Sequence, residues 1–176
     1  MGDLLFEMSQ WLYTTPLNEF AQGVSESTLS MWILSWFWTI PVMQTFHILS
    51  IAATLAAILM LNLRVFGMAG HATLGETAER YTRVFWWALV IVVISGVSML
   101  FGDTVRNLLN SIFWIKMVLV VVGILLAIGY ANGLKRQTVA GGGEAALGGA
   151  KTAGIFLIIL WCVIILAGRW IAYAPS

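Results

Sequence analysis

A single histidine, His47, stands inside a long apolar run, Pro41–Phe66 (PVMQTFHILSIAATLAAILMLNLRVF). Gln44, Ser50 and Thr54 accompany it at helical spacing, and at 100° per residue the four fall within about a third of a helix circumference. An ionisable side chain in such a run is costly to keep in a membrane and is by default a functional-site candidate. Two further cations, Lys116 and Arg169, stand in apolar runs of their own. A neutral imidazole nitrogen can ligate iron and permanent cations can pair with carboxylates, so the set suits haem b, with Lys116 and Arg169 on the propionates. His47 is the one metal ligand expected, and only toward haem iron. Met43 lies one turn away on the same helix, so the two cannot bind opposite faces of one porphyrin. With two histidines in the chain, and His71 in the opposite loop, a bis-histidine site would need His47 from two copies. A quinone-type or other anionic ligand, or a lipid, is the alternative occupant, with Lys116 and Arg169 as donors, Gln44 and Ser50 beside His47, and tryptophans such as Trp170 as walls. A purely structural reading also stands: His47 hydrogen-bonds Gln44, Ser50 or a neighbouring helix, and the cations snorkel to headgroups.

No catalytic residues are expected. The chain has no Ser-His-Asp set, Gly-rich phosphate loop or paired intramembrane carboxylates, and His71-x-x-x-x-Glu76 is not a zincin spacing. His71, in GMAGHATLGE, reads as a solvated loop residue. Cys162 reads as a small buried hydrophobe. The methionines are too scattered for copper transport.

The elements that must position these residues follow from composition. Of 176 residues, 60% are hydrophobic and 10% charged, against roughly 25% charged in soluble domains; this predicts an all-α integral membrane protein. Four spans are expected, at about 41–66, 84–101, 112–131 and 154–172, each near the length a bilayer requires. Short connections imply an up-down-up-down four-helix bundle in the 41–176 region, with a flexible linker in GGGEAALGGAK. Residues 1–40 form a separate interfacial segment. Leu4, Leu5, Met8, Trp11 and Leu12 share one helical face there, Thr15-Pro16 caps and starts a second short helix, and Trp32, Trp36 and Trp38 mark a headgroup-level belt. The N-terminus carries acids where a signal peptide needs a basic region, so the first span serves as its own insertion signal.

Arg64, Arg80, Arg83, Lys135, Arg136 and Lys151, six of the nine basic residues, fall on one side of this topology. The positive-inside rule then predicts both termini outside. At the helical rise, His47 lies roughly 9 Å, Lys116 roughly 6 Å and Arg169 roughly 5 Å from the outer ends of their spans. They therefore share one outer layer, which the N-terminal segment could roof. The net charge of +1 and the lack of a basic cluster argue against nucleic acid. The expected partners are membrane lipids, other membrane subunits or a second copy.

The pieces WLYTTPLNEF, SWFWTIPVMQTFHILSIA leading into LNLRVFG, FWIKM and LWCVIILAGRWIAY occur in this order over most of the chain. In them the chain resembles a family of small four-span bacterial membrane proteins catalogued only as a domain of unknown function. Members of that family usually carry Glu where Gln44 stands and Asp-Leu-Arg where this chain has Asn62-Leu63-Arg64, so both departures remove a carboxylate. His47, Arg64, Lys116, Arg169 and Trp170 match. The resemblance implies the architecture and this residue set, with no activity attached. The expected function is a small membrane subunit with a buried polar site holding haem b, a quinone or an anionic ligand. The alternatives are a structural accessory subunit of a larger complex and a small-solute transporter or sensor.

Overall fold

The computed structural model describes residues 2–68, 73–139, 144–171 and 173. Among these residues there are eight helices and no strand: α1 (Gly2–Tyr13), α2 (Pro16–Ser25), α3 (Thr28–Ser35), α4 (Thr39–Val65), α5 (Leu74–Gly102), α6 (Thr104–Leu108), α7 (Ser111–Val139) and α8 (Glu144–Trp170). Helices α4, α5, α7 and α8 are each long and apolar enough to cross a bilayer, and the chain is a multi-pass membrane protein with an all-α fold. His71 lies outside the described residues.

The helices outlast their apolar windows, because hydropathy marks where lipid must be faced and not where hydrogen bonding stops. α5 starts at Leu74, within the stretch read as a polar connection. Thr73 Oγ1 accepts the Glu76 N–H at 3.3 Å and the Glu76 carboxylate accepts the Thr73 N–H at 2.9 Å, a reciprocal capping box that satisfies two otherwise orphaned donors. α8 starts at Glu144, inside the glycine-rich stretch expected to be a flexible linker. Each helical glycine there costs about 1 kcal/mol relative to alanine. That cost is offset where Ala150 packs with Leu61, Val65, Ala78 and Leu134. α4 begins at Thr39, which leaves Pro41 in the first turn, where its missing N–H is harmless.

The four long helices form a square. α4 packs on α5 and α8, and α7 packs on α5 and α8, with side chains alone meeting across the diagonals. At mid-height Ala57, Ile58, Phe85, Leu89, Ala127, Leu157, Trp161 and Ile164 form the core, and Phe85 meets Trp161 edge-to-face across one diagonal at 5.7 Å. Val93, Val118, Leu125, Ile159 and Leu166 point outward and are exposed, which fits lipid as solvent. Cys162 is also exposed, contrary to its expected burial. Trp161 takes the inward direction, and one residue further on the helix has turned about 100° away.

The short helices collar the end of the bundle nearest His47. α1 is pinned to the start of α7 by Ser9, which accepts the Ser111 N–H at 3.2 Å, and by Ser111 Oγ, which donates to the Leu5 carbonyl at 3.0 Å. Ser30, at the base of α3, donates to the Phe101 carbonyl on α5. Trp32, Trp36 and Trp38 stay exposed, as a headgroup belt requires. Thr15 sits at the N-cap of α2 ahead of Pro16 but does not cap with its side chain. Its hydroxyl donates back to the Leu12 carbonyl at 2.6 Å, closing the turn between α1 and α2 instead.

Candidate functional site

His47 lies two turns into α4 and faces α5. Its Nδ1 is 2.9 Å from Ser95 Oγ. Ser95 has one hydroxyl proton, and its Oγ lies 2.6 Å from the Ile91 carbonyl one turn back on α5. That short bond takes the proton, so Ser95 accepts from His47 and Nδ1 carries the hydrogen. The Val92 carbonyl, 3.2 Å from the same hydroxyl, is a second acceptor for its proton. We therefore assign the Nδ1–H tautomer from this network, which leaves Nε2 with its lone pair. Gly96 eases the approach: a Cβ there would stand 3.2 Å from His47 Cε1, so the imidazole would have to give by a few tenths of an ångström. His47 itself is half-buried. The arrangement is a lone-pair donor held by a hydrogen bond to its other nitrogen, the usual way a ligating imidazole is oriented.

Lys116 arrives from the first turns of α7, at the same end of the bundle. It is half-buried and runs along Gly168 of α8, where an added Cβ would lie 3.4 Å from Nζ. Ser50 is buried one turn below His47 on α4, where its carbonyl accepts from Thr54 Oγ1 at 2.8 Å. The other expected members do not join. Gln44 is exposed on α4. Arg169 is exposed and donates to the Tyr173 hydroxyl at 2.9 Å, with its guanidinium 5.2 Å from that ring, and Trp170 is 65% exposed. Among the described residues no three His, Cys, Asp or Glu side chains gather as a metal site. One imidazole with one cation suits a group that brings its own equatorial ligands, and does not suit a bare ion.

Two partners of His47, Ser95 and Gly96, were not singled out from the sequence; their signal there is a Ser-Gly pair interrupting the apolar run of α5. A second polar cluster escaped as well, at the far end of the bundle. Asn62 is 2% exposed. It donates to the Ile58 carbonyl at 2.9 Å, and its Oδ1 accepts the Tyr130 hydroxyl of α7 at 3.0 Å. Gly154 of α8 seats the pair, since any Cβ at that position would overlap Asn62 Oδ1 and crowd the Tyr130 hydroxyl. In the sequence Asn62 has no role beyond a carboxylate lost from the family pattern. Asn62 in fact joins three helices.

No curated protein and no solved structure matches the chain. Residues 37–174 match the Family of unknown function (DUF6644), a stretch that takes in all four long helices, both polar clusters and the residues around His47. The chain belongs to that family, and α1, α2 and α3 precede the matched region.

Proposed function

We propose that this chain is a non-catalytic subunit of a bacterial inner membrane that binds haem b in the layer around His47, with the His47 end of the bundle facing outside. The observation that carries the reading is the 2.9 Å approach of His47 Nδ1 to Ser95 Oγ, whose proton is taken by the Ile91 carbonyl; the tautomer assigned from it leaves Nε2 a neutral lone-pair donor. Lys116, at the same end of the bundle, is the residue to hold a propionate, a carboxylate that prefers the interface. Bound haem would supply reversible one-electron chemistry. The protein's part is to fix the imidazole with Ser95 and Gly96 and to neutralise the carboxylate with Lys116. A quinone-type ligand would use the same two groups differently, Lys116 donating to a carbonyl oxygen and Nε2 accepting from a ring hydroxyl. The absorption spectrum of protein purified from membranes with haem supplied tests the proposal. A Soret band that disappears in His47→Ala is expected. Folded protein without a band overturns haem, and a band unchanged in His47→Ala overturns the ligand.

A second reading, a structural accessory subunit, is favoured by α7. Gly129 and Gly133 are four residues apart, and a Cβ added at either would meet nothing within 4 Å, the kind of small-residue surface on which membrane helices associate. Recovery of a fixed larger partner from native membranes, lost in Gly129→Leu, is the outcome this reading expects.

A further inference from the structure

Helices α7 and α8 meet closely over only part of their length. Toward the His47 end, a Cβ added at Gly123 of α7 would stand 3.1 Å from Ile164 and 3.7 Å from Trp161 of α8. Toward the Asn62 end, a Cβ added at Gly129 or Gly133 of α7, or at Gly149 of α8, would meet nothing within 4 Å. A groove of about 350 Å³ lies between the two helices there. Gly129 and Gly133 belong to one wall, Gly149 and Ala153 to the other, and Leu125 and Phe156 border it toward the middle of the bundle.

Shape selects what can enter. Leu125 to Gly133 is about 12 Å of helix axis, so 350 Å³ spread over it has a section of roughly 29 Å². A helix with its side chains is roughly 10–12 Å across, which fits over the groove and not inside it, whereas an extended hydrocarbon chain is thin enough to enter. The lining is apolar apart from Tyr130, whose hydroxyl already donates to Asn62. Charge selects the headgroup. Arg136 lies seven residues beyond Gly129 and three beyond Gly133, so the three share one face of α7. Helical side chains lean toward the N-terminus of their helix, which for Arg136 is back toward Gly133 and the mouth of the groove. Arg136 is exposed, no ion pair among the described residues involves it, and no acidic residue lines the groove. Basic pockets between membrane helices are recurrent sites for anionic lipid headgroups.

We infer that the α7–α8 groove binds one anionic phospholipid, with an acyl chain between the glycine walls and the phosphate on Arg136. The site is independent of what occupies the His47 layer. It shares Gly129 and Gly133 with the accessory-subunit reading and differs in seating a lipid chain there, not a partner helix.

Native mass spectrometry of the whole protein tests this, after lipid is stripped in detergent and phosphatidylglycerol or phosphatidylcholine of the same chains is added back. One tightly retained phosphatidylglycerol per chain is expected, with phosphatidylcholine held more weakly. Arg136→Gln should lower the affinity for phosphatidylglycerol about fivefold, the worth of one cation near an anionic lipid surface, and the affinity for phosphatidylcholine by less. Gly133→Leu fills the space the chain needs and should weaken both lipids. Arg83→Gln, on α5 at the same end of the bundle, should change neither. Equal retention of the two lipids, or an equal loss from Arg83→Gln, overturns the site in favour of diffuse attraction to a basic end. If Gly133→Leu leaves lipid retention intact but abolishes a co-purifying membrane partner, the groove holds a helix and the inference fails. Spin-labelled phosphatidylglycerol in nanodiscs gives an answer on the unmutated chain: an immobilised component is expected, and its absence refutes the site.

Discussion

The bundle carries a polar cluster toward each end, and the two are built on opposite plans. Around Asn62 the described groups close on one another: the amide donates to a backbone carbonyl of its own helix, accepts from Tyr130, and sits in a notch that only glycine leaves open. Around His47 the network stops short. Nδ1 is bonded, Nε2 is not committed to the network, and Lys116 has no carboxylate partner among the described residues. In a membrane, helices gain little from hydrophobic burial against one another, so a satisfied buried amide linking three helices is a device for holding the bundle in register. A half-buried imidazole with a spare lone pair adds little of that kind. Closure marks the part that holds the fold, and incompleteness marks the part that is left to bind something.

That contrast can be broken most forcefully at Gly154. Gly154→Ala places a methyl group on the Asn62 amide, and overpacking of a filled interior costs about 1–3 kcal/mol; with a polar atom displaced as well, the upper end is expected. Thermal unfolding in detergent or nanodiscs reads it. Because the clash is with Asn62 itself, Asn62→Ala in the same chain should recover part of the loss, so the two changes together cost less than their sum. An additive pair would mean that Gly154 acts through something other than Asn62. Asn62→Ala alone leaves the Tyr130 hydroxyl without its acceptor and should cost about 1–3 kcal/mol. Tyr130→Phe added to it should be nearly silent, since the orphaned group is then gone. None of these variants should alter ligand binding at His47.

At the His47 end the readouts exchange places. His47→Ala removes one half-buried hydrogen bond, worth about 1 kcal/mol, and is expected to abolish the haem spectrum while leaving unfolding close to wild type. Gly96→Ala is the finer instrument. Its Cβ would stand 3.2 Å from His47 Cε1, so the ring must give by a few tenths of an ångström and the bond to Ser95 must lengthen. A shifted or weakened spectrum with a near-normal Tm is the expected pair of results. If Gly96→Ala destabilised the bundle as strongly as Gly154→Ala, the division between a holding cluster and a binding cluster would fail.

How much of this was legible in the sequence follows from what sequence signals encode. Length, composition and the apolar runs carried the four-helix membrane architecture, and the family match adds its own support. His47 and Lys116 were visible because a charge or an imidazole in an apolar run is conspicuous one residue at a time. Asn62, Tyr130 and Gly154 were not, because each is ordinary alone and meaning arises only where three helices bring them within a few ångströms. Ser95 and Gly96 escaped for the same reason. Arg169 misled in the other direction: its type and depth fitted the outer layer, but Tyr173, four residues on, offers both a hydroxyl and a ring face. Local pairing just past the end of α8 takes the cation that its depth assigns to the site. The helix ends were misjudged where polar or glycine-rich residues were equated with loop, although Thr73-x-x-Glu76 is a start signal readable in the sequence.

The smallest expected effect sharpens the comparison from its surface. Glu79 and Arg83 pair at 3.2 Å on the first turns of α5, on the side of the bundle where Asn62 lies, with side chains 68% and 71% exposed. An exposed i, i+4 pair of this kind contributes about 0.3–0.5 kcal/mol, less as salt rises. Glu79→Ala should therefore lower Tm by about 1 °C or less, and the difference should vanish in high salt. If it instead approached the loss from Asn62→Ala, the holding role would belong to the charges at this end and not to the neutral cluster inside it. The expectation is the reverse, because an amide buried among helices has no water to replace its partners, whereas an exposed carboxylate has water on every side.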